Sequence, residues 1–282
     1  MLGLEACRAV RVYLMTDLEG AAGVATHVHH SFPNGKYHDA SKKLLTGEVN
    51  AAVEGLLEAG VEDVLVVDGH GPGGIDFELL HPEARLLHGR PLTRQQMLEP
   101  IWDHDAMVMI GQHAKSGRRH GNQNHTLSSS EIDWIQINGH AIGEIGIMAL
   151  WAGIKSVPLI FLSGDEEACA EAKREIPGIA TAAVKKGLSS NAEITLSAPA
   201  ACNLIRRAIT AAVGAHRAKP VPPLILDPPF QLDIRWKTTA LADTVEHQTG
   251  CERIDDQTVA FTSPRLLDVL LHRHAGLEST SR

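Results

Sequence analysis

Asp17 and Glu19 stand one residue apart at the end of an apolar run, "RVYLMTDLEG", and Asp68 and His70 repeat that spacing in "VLVVDGHG". Residues i and i+2 of a strand share a face, so each pair points one way where its strand leaves a sheet. Like charges on one face repel unless a cation or hydrogen-bond donors lie between them. A third run, "VMIGQHA", ends in His113, and Glu144 opens an apolar helical stretch, "GEIGIMALWAGI". Asp17, Glu19, Glu144, His70 and His113 together offer three carboxylates and two imidazoles. Such an N/O set suits Zn²⁺ or another first-row divalent ion, whereas Mg²⁺ and Ca²⁺ favour all-oxygen shells. Taken singly, each residue has an ordinary explanation: a turn beside Gly20, a hydrogen-bonded loop histidine, a glutamate at a helix start. Their recurrence at strand ends is the argument for a joint site.

The elements that must bring them together are strands over 11–16, 61–68, 105–112 and 157–165. Helices over 40–60, 143–154 and 165–176 alternate with them, the last capped by Asp165. In the first helix Leu44, Leu45, Val49, Ala52, Val53, Leu56 and Leu57 recur at helical spacing, and Gly60 closes it. This alternation predicts an α/β fold with a mostly parallel central sheet flanked by helices. In such sheets ligands collect beyond the carboxyl ends of the strands, where residues distant in sequence converge. "DWIQINGHAIGE" predicts a hairpin turning at Asn138–Gly139. Past residue 190 a helix over about 197–216, a proline-rich segment, two strands and a last helix over 264–275 predict a smaller α+β C-terminal region. The chain therefore divides into an α/β metal-binding catalytic domain, 1–190, and that smaller region, 191–282, which can pack as part of the same unit. Its end, "GLESTSR", is expected to fray.

Two stretches need separate treatment. "GHGPGG" satisfies the glycine pattern of a dinucleotide loop, but Pro72 interrupts it and no acidic residue ends a following strand. Its glycines are better read as letting the backbone fold tightly around His70. The segment 111–130 is long, polar and broken by glycine, as a loop over a site would be, or as any mobile surface loop. His120, beside Arg118 and Arg119, fits the surface. His125, flanked by Asn124 and Thr126 that can orient its ring, fits either the surface or a proton donor or oxyanion partner over a metal.

Composition narrows the classes. The 282 residues are 44% hydrophobic and 21% charged, enough for a substantial core, and 16 histidines is a high count for this length. A net charge of −8 argues against nucleic-acid and anionic-membrane partners. Four scattered cysteines without a CxxC pair fit free thiols in a reducing compartment. Glu5 within the N-terminal apolar stretch argues against a secretory signal, and no apolar run reaches membrane-spanning length. The expected location is cytoplasmic.

The ordered set "MTDLEG", "DGHG", "GQHA", "NHT" and "GEIG" resembles the DppA-type zinc-dependent D-aminopeptidases, and "HPEA", "SGDE" and "TAAVK" are also similar to that family. The likeness runs over residues 11–186. Met15 stands where the family usually has Ser, which puts the support of Asp17 in question without removing a ligand. The resemblance implies two zinc ions per chain held by Asp17, Glu19, His70, His113 and Glu144, with Asp17 shared and His125 catalytic. It also implies hydrolysis of the N-terminal residue of short peptides containing D-amino acids, by a homo-oligomeric ring, pentamer or decamer. The alternative on the same ligands is a di-metal hydrolase of another class, a phosphoesterase or amidohydrolase.

Overall fold

The computed structural model describes residues 10–272. The expected frayed end at 276–282 and the last residues of the final helix lie outside them. The chain opens with strand β1 (Arg11–Thr16), helix α1 (His38–Glu58), β2 (Asp63–Asp68), β3 (Ala84–Leu87), the short α2 (Arg94–Leu98) and β4 (Ala106–Gln112). A hairpin of β5 (Ile132–Ile137) and β6 (His140–Ala141) leads into α3 (Glu144–Gly153), β7 (Leu159–Asp165), α4 (Glu166–Glu175), β8 (Ala180–Ser189) and β9 (Ala192–Thr195). The remainder is α5 (Ala198–Ala218), β10 (Phe230–Trp236), α6 (Thr239–Glu246), β11 (Cys251–Arg253), β12 (Thr258–Ser263) and α7 (Leu266–His272).

Seven strands form the central sheet in the order β3-β2-β1-β4-β7-β8-β9. The first six are parallel and β9 runs antiparallel at the edge. Strands β4 and β7 are buried at every residue, which is why "AMVMIGQ" and "LIFLSGD" read as apolar runs without alternation. Helices α1 and α5 pack on each other and against the sheet, and α4 lies against β7 and β8. Asp165 caps α4 as expected, its carboxylate accepting from Glu167 N. A second, antiparallel sheet has the order β11-β12-β10-β5-β6. It joins the hairpin, turning through positive φ at Asn138 and Gly139, to the late strands.

From β1 the chain builds outward through β2 and β3, then crosses back to place β4 on the other side of β1. That reversal leaves a crevice beyond the carboxyl ends of β1 and β4. The strand ends press close there. A Cβ on Gly20 would lie 2.0 Å from Gln112 O, and one on Gly164 would also lie 2.0 Å from the same oxygen. Glycine at position 20 thus serves the approach of β1 to β4, beyond the simple turn that sequence suggested.

Candidate metal centre

The crevice gathers all five expected ligands. Asp17 leaves β1 with its backbone still in the ladder, N donating to Ile110 O at 2.9 Å. Glu19 follows on the same side, while His70 comes from the loop after β2, His113 from the end of β4 and Glu144 from the first position of α3. Asp17, Glu19, His70 and His113 are buried, and Glu144 is partly so. Asp17 sits in the middle: Oδ1 lies 3.3 Å from His70 Nδ1 and Oδ2 lies 3.1 Å from His113 Nε2. Glu19 Oε2 approaches His70 Nδ1 to 3.1 Å, and Glu144 Oε1 approaches His113 Nε2 to 3.4 Å.

The imidazoles are fixed from behind. His70 Nε2 contacts Ser31 O at 2.9 Å and His113 Nδ1 contacts Ala114 O at 2.9 Å. A backbone carbonyl accepts only from N–H, so in each ring the proton is directed outward and the other nitrogen faces the carboxylates. This is the usual support of a metal-binding histidine. Glu19 Oε2 and His113 Nε2 are buried with no partner in hydrogen-bond geometry, although other ligand atoms are near. Ligand atoms of Asp17, Glu19 and His113 all lie within 4.8 Å of one another, as do those of His113, His125 and Glu144. Potential ligand atoms that converge this closely in a buried crevice are what a cation requires, and the N/O set fits zinc.

Electrostatics agree. Burial alone would raise the Asp17 carboxyl, but the facing His113 and His70 imidazoles hold it well below the usual range. Burial would likewise raise Glu144, and the His113 contact brings it down to about 2. For His70 and His113 burial disfavours the charge, yet the facing carboxylates raise both well above an ordinary histidine.

The loop 111–130 is no mobile surface segment: Asn122, Gln123 and Thr126 are fully buried. His120 is exposed, as expected. His125 stacks on His113 with ring centroids 3.9 Å apart, and its Nε2 lies 3.9 Å from Glu144 Oε1. Its orientation comes from Gln123 O, 2.9 Å from Nδ1, and not from Asn124 or Thr126. Asn124 instead bonds Gly121 O and Arg118 N, while Thr126 Oγ1 accepts from Ser116 N. Asp68 turns away from the cluster, its carboxylate accepting from Gly74 N at 2.8 and 3.0 Å, and so braces the glycine loop behind His70. Met15 is buried on the cavity wall against Gly69, where a Cβ would lie 2.5 Å from its Sδ.

Two contributors escaped the sequence reading. Lys185 is buried with Nζ donating to Glu19 O, to Val24 O at 2.6 Å and to Asn122 Oδ1 at 2.9 Å, and pairing with Glu193 at 3.0 Å. It pins the main chain that carries Glu19. The signal was a lone lysine at an inward position of "TAAVK". His27 lines the cavity 5.2 Å from the His125 ring, and burial lowers its pKa to about 4.

A buried carboxylate–imidazole cluster at the switch point of a parallel sheet defines a candidate metal site in an α/β protein. The family profile described as D-aminopeptidase matches residues 10–273, and the chain belongs to that family. A D-aminopeptidase of Bacillus subtilis (strain 168) is 28% identical over 271 residues, which span 92% of this chain and 93% of that protein. A solved structure, the Zn-dependent D-aminopeptidase DppA from Bacillus subtilis, described as a self-compartmentalizing protease, is similar with a TM-score of 0.88. That likeness has 26% identity and covers 97% of this chain and 100% of the other. Among the described residues no helix is long and apolar enough to cross a membrane.

Proposed function

We propose that the protein is a zinc-dependent aminopeptidase that removes the N-terminal residue from short peptides containing D-amino acids. The observation that carries this reading is Asp17, whose two oxygens face different histidines, 3.3 Å from His70 and 3.1 Å from His113. Asp17, Glu19 and His70 would hold one ion; Asp17, His113 and Glu144 would hold the other. Bound zinc supplies Lewis-acid polarisation of a carbonyl and a water of lowered pKa.

The remaining chemistry belongs to the chain. With its Nδ1 proton committed to Gln123 O, neutral His125 presents Nε2 as an acceptor toward the cluster. Burial, reinforced by the charge on His113, lowers its pKa and favours that neutral form. His125 is therefore suited to take a proton during attack and return it to the leaving nitrogen. The self-compartmentalizing relative supports a homo-oligomer for this chain, with a ring of five or ten subunits in the cytoplasm as the finer reading.

The test joins metal analysis to a panel of D- and L-aminoacyl p-nitroanilides, dipeptides and phosphate esters. Zinc-dependent release of N-terminal D-residues is expected. Turnover of phosphate esters alone would overturn the proposal.

A further inference from the structure

Arg94, the first residue of α2, lines the cavity of about 430 Å³ that contains the candidate ligands. Its Nε and Nη1 are shut away from solvent and have no hydrogen-bond partner. A guanidinium in that position is unfavourable, because a buried charge is normally paired and each unmade N–H bond forfeits its interaction. Burial draws its pKa down to about 10 against the favourable field of Glu144, so the group stays charged at neutral pH.

Glu144 does not satisfy it. Its Oε1 accepts from Leu127 N at 2.7 Å and faces His113 and His125. The placement is also not the accident of a loose segment. Tyr13 of β1 donates to Met97 O at 2.8 Å, and Trp151 of α3 donates to Leu98 O at 3.1 Å. Leu98 is fully buried, and Thr93 and Gln96 form a reciprocal cap at the start of the helix. The backbone under Arg94 is held to the sheet and to α3, so the side chain is presented to the cavity from a fixed base.

Among the described residues that line the cavity, Arg94 is the Lys- or Arg-type cation. A free peptide carries an ammonium beside its first residue and a carboxylate at its other end, and the carboxylate is the charge that complements Arg94. Residues along a chain are about 3.8 Å apart, so a dipeptide places both ends within one small-molecule cavity. A guanidinium can donate to a carboxylate in a charge-assisted hydrogen bond.

We infer that Arg94 forms a carboxylate-binding subsite for the residue that follows the scissile bond, so that dipeptides with a free carboxylate are preferred substrates. This rests on the aminopeptidase reading. The anion can be the α-carboxylate or an acidic side chain of that residue, and the choice of peptides separates the two.

The experiment measures kcat/KM of the zinc-loaded protein on D-alanylglycine, D-alanylglycinamide and D-alanyl-D-glutamic acid α-amide, for wild type and Arg94→Met. Wild type should prefer D-alanylglycine over its amide by about 10–100-fold, the size of one charge-assisted hydrogen bond, mainly through KM. In Arg94→Met that ratio should collapse toward unity, and Arg94→Lys should restore part of it. If the glutamyl amide is cleaved as well as the free acid and loses equally in Arg94→Met, the subsite takes a side-chain carboxylate as well as the α-carboxylate. Should Arg94→Met fail to fold, the wild-type ratios alone decide. Equal kcat/KM for all three peptides in wild type, or a preference unchanged in Arg94→Met, would overturn the subsite while leaving the aminopeptidase intact. Cleavage of none of them, nor of a D-aminoacyl p-nitroanilide, would overturn the aminopeptidase reading and the subsite with it.

Discussion

Zinc uptake by the metal-free protein should expel protons. Without an ion, His70 and His113 carry positive charge: burial opposes it, but Glu19 and Asp17 around His70, and Asp17 and Glu144 around His113, override burial. Asp17 and Glu144 are held low and bring no proton of their own near neutrality. Filling both positions at pH 7 therefore releases about two protons per chain. Each proton displaced is worth about 1.36 kcal/mol per pH unit, so the combined affinity should fall about 100-fold for each unit of acidification. Titration calorimetry of the stripped protein with zinc, in buffers of different ionisation enthalpy, reads the proton count directly. The same shifts fix the direction of the stability change. A folded-state histidine pKa raised above about 6.5 stabilises the metal-free protein below that pH, and the contribution fades as pH climbs through the raised values. Zinc needs the deprotonated rings and gains over the same span. The Tm gap between loaded and stripped protein should widen from pH 6 to 8. Proton release near zero at pH 6, or a gap that narrows with rising pH, would refute the reasoning.

Further outcomes follow from single side chains. His125→Ala should lower kcat about 10²–10⁴-fold with little change in KM and full zinc content, while exposed His120→Ala behaves as wild type. Loss of zinc in proportion to activity would instead make His125 a ligand, a role its grouping with His113 and Glu144 would permit. Lys185→Met breaks a buried ion pair and strands the Glu19 and Val24 carbonyls. It should destabilise the protein by about 3–5 kcal/mol in urea denaturation and weaken zinc binding, and unchanged stability would refute its role under Glu19.

The parts legible in sequence were those fixed by local periodicity. Strand β1 falls on 11–16, and the "NG" hairpin and the Asp165 cap need only their own residues to be recognised. The five clustered residues were legible because parallel-sheet topology sends strand ends to one place. Strand β3 was missed: it is a four-residue edge strand, half-buried, with no periodicity to betray it. Helix α2, only five residues long, was missed for the same reason, and Arg94 with it. Long-range partners were not legible either. Gln123 orients His125 from two residues away, where sequence pointed to the immediate neighbours, and Lys185 acts on Glu19 across 166 positions. Gly20 shows the same limit, since its need arises from Gln112 on another strand.

The central claim is that one carboxylate, Asp17, serves two ions. Elemental analysis of purified wild type and Asp17→Ala tests it most directly. Wild type should hold about two zinc ions per chain, and Asp17→Ala should lose both together, because each ion shares that side chain. A folded Asp17→Ala protein that keeps its full zinc would contradict the account.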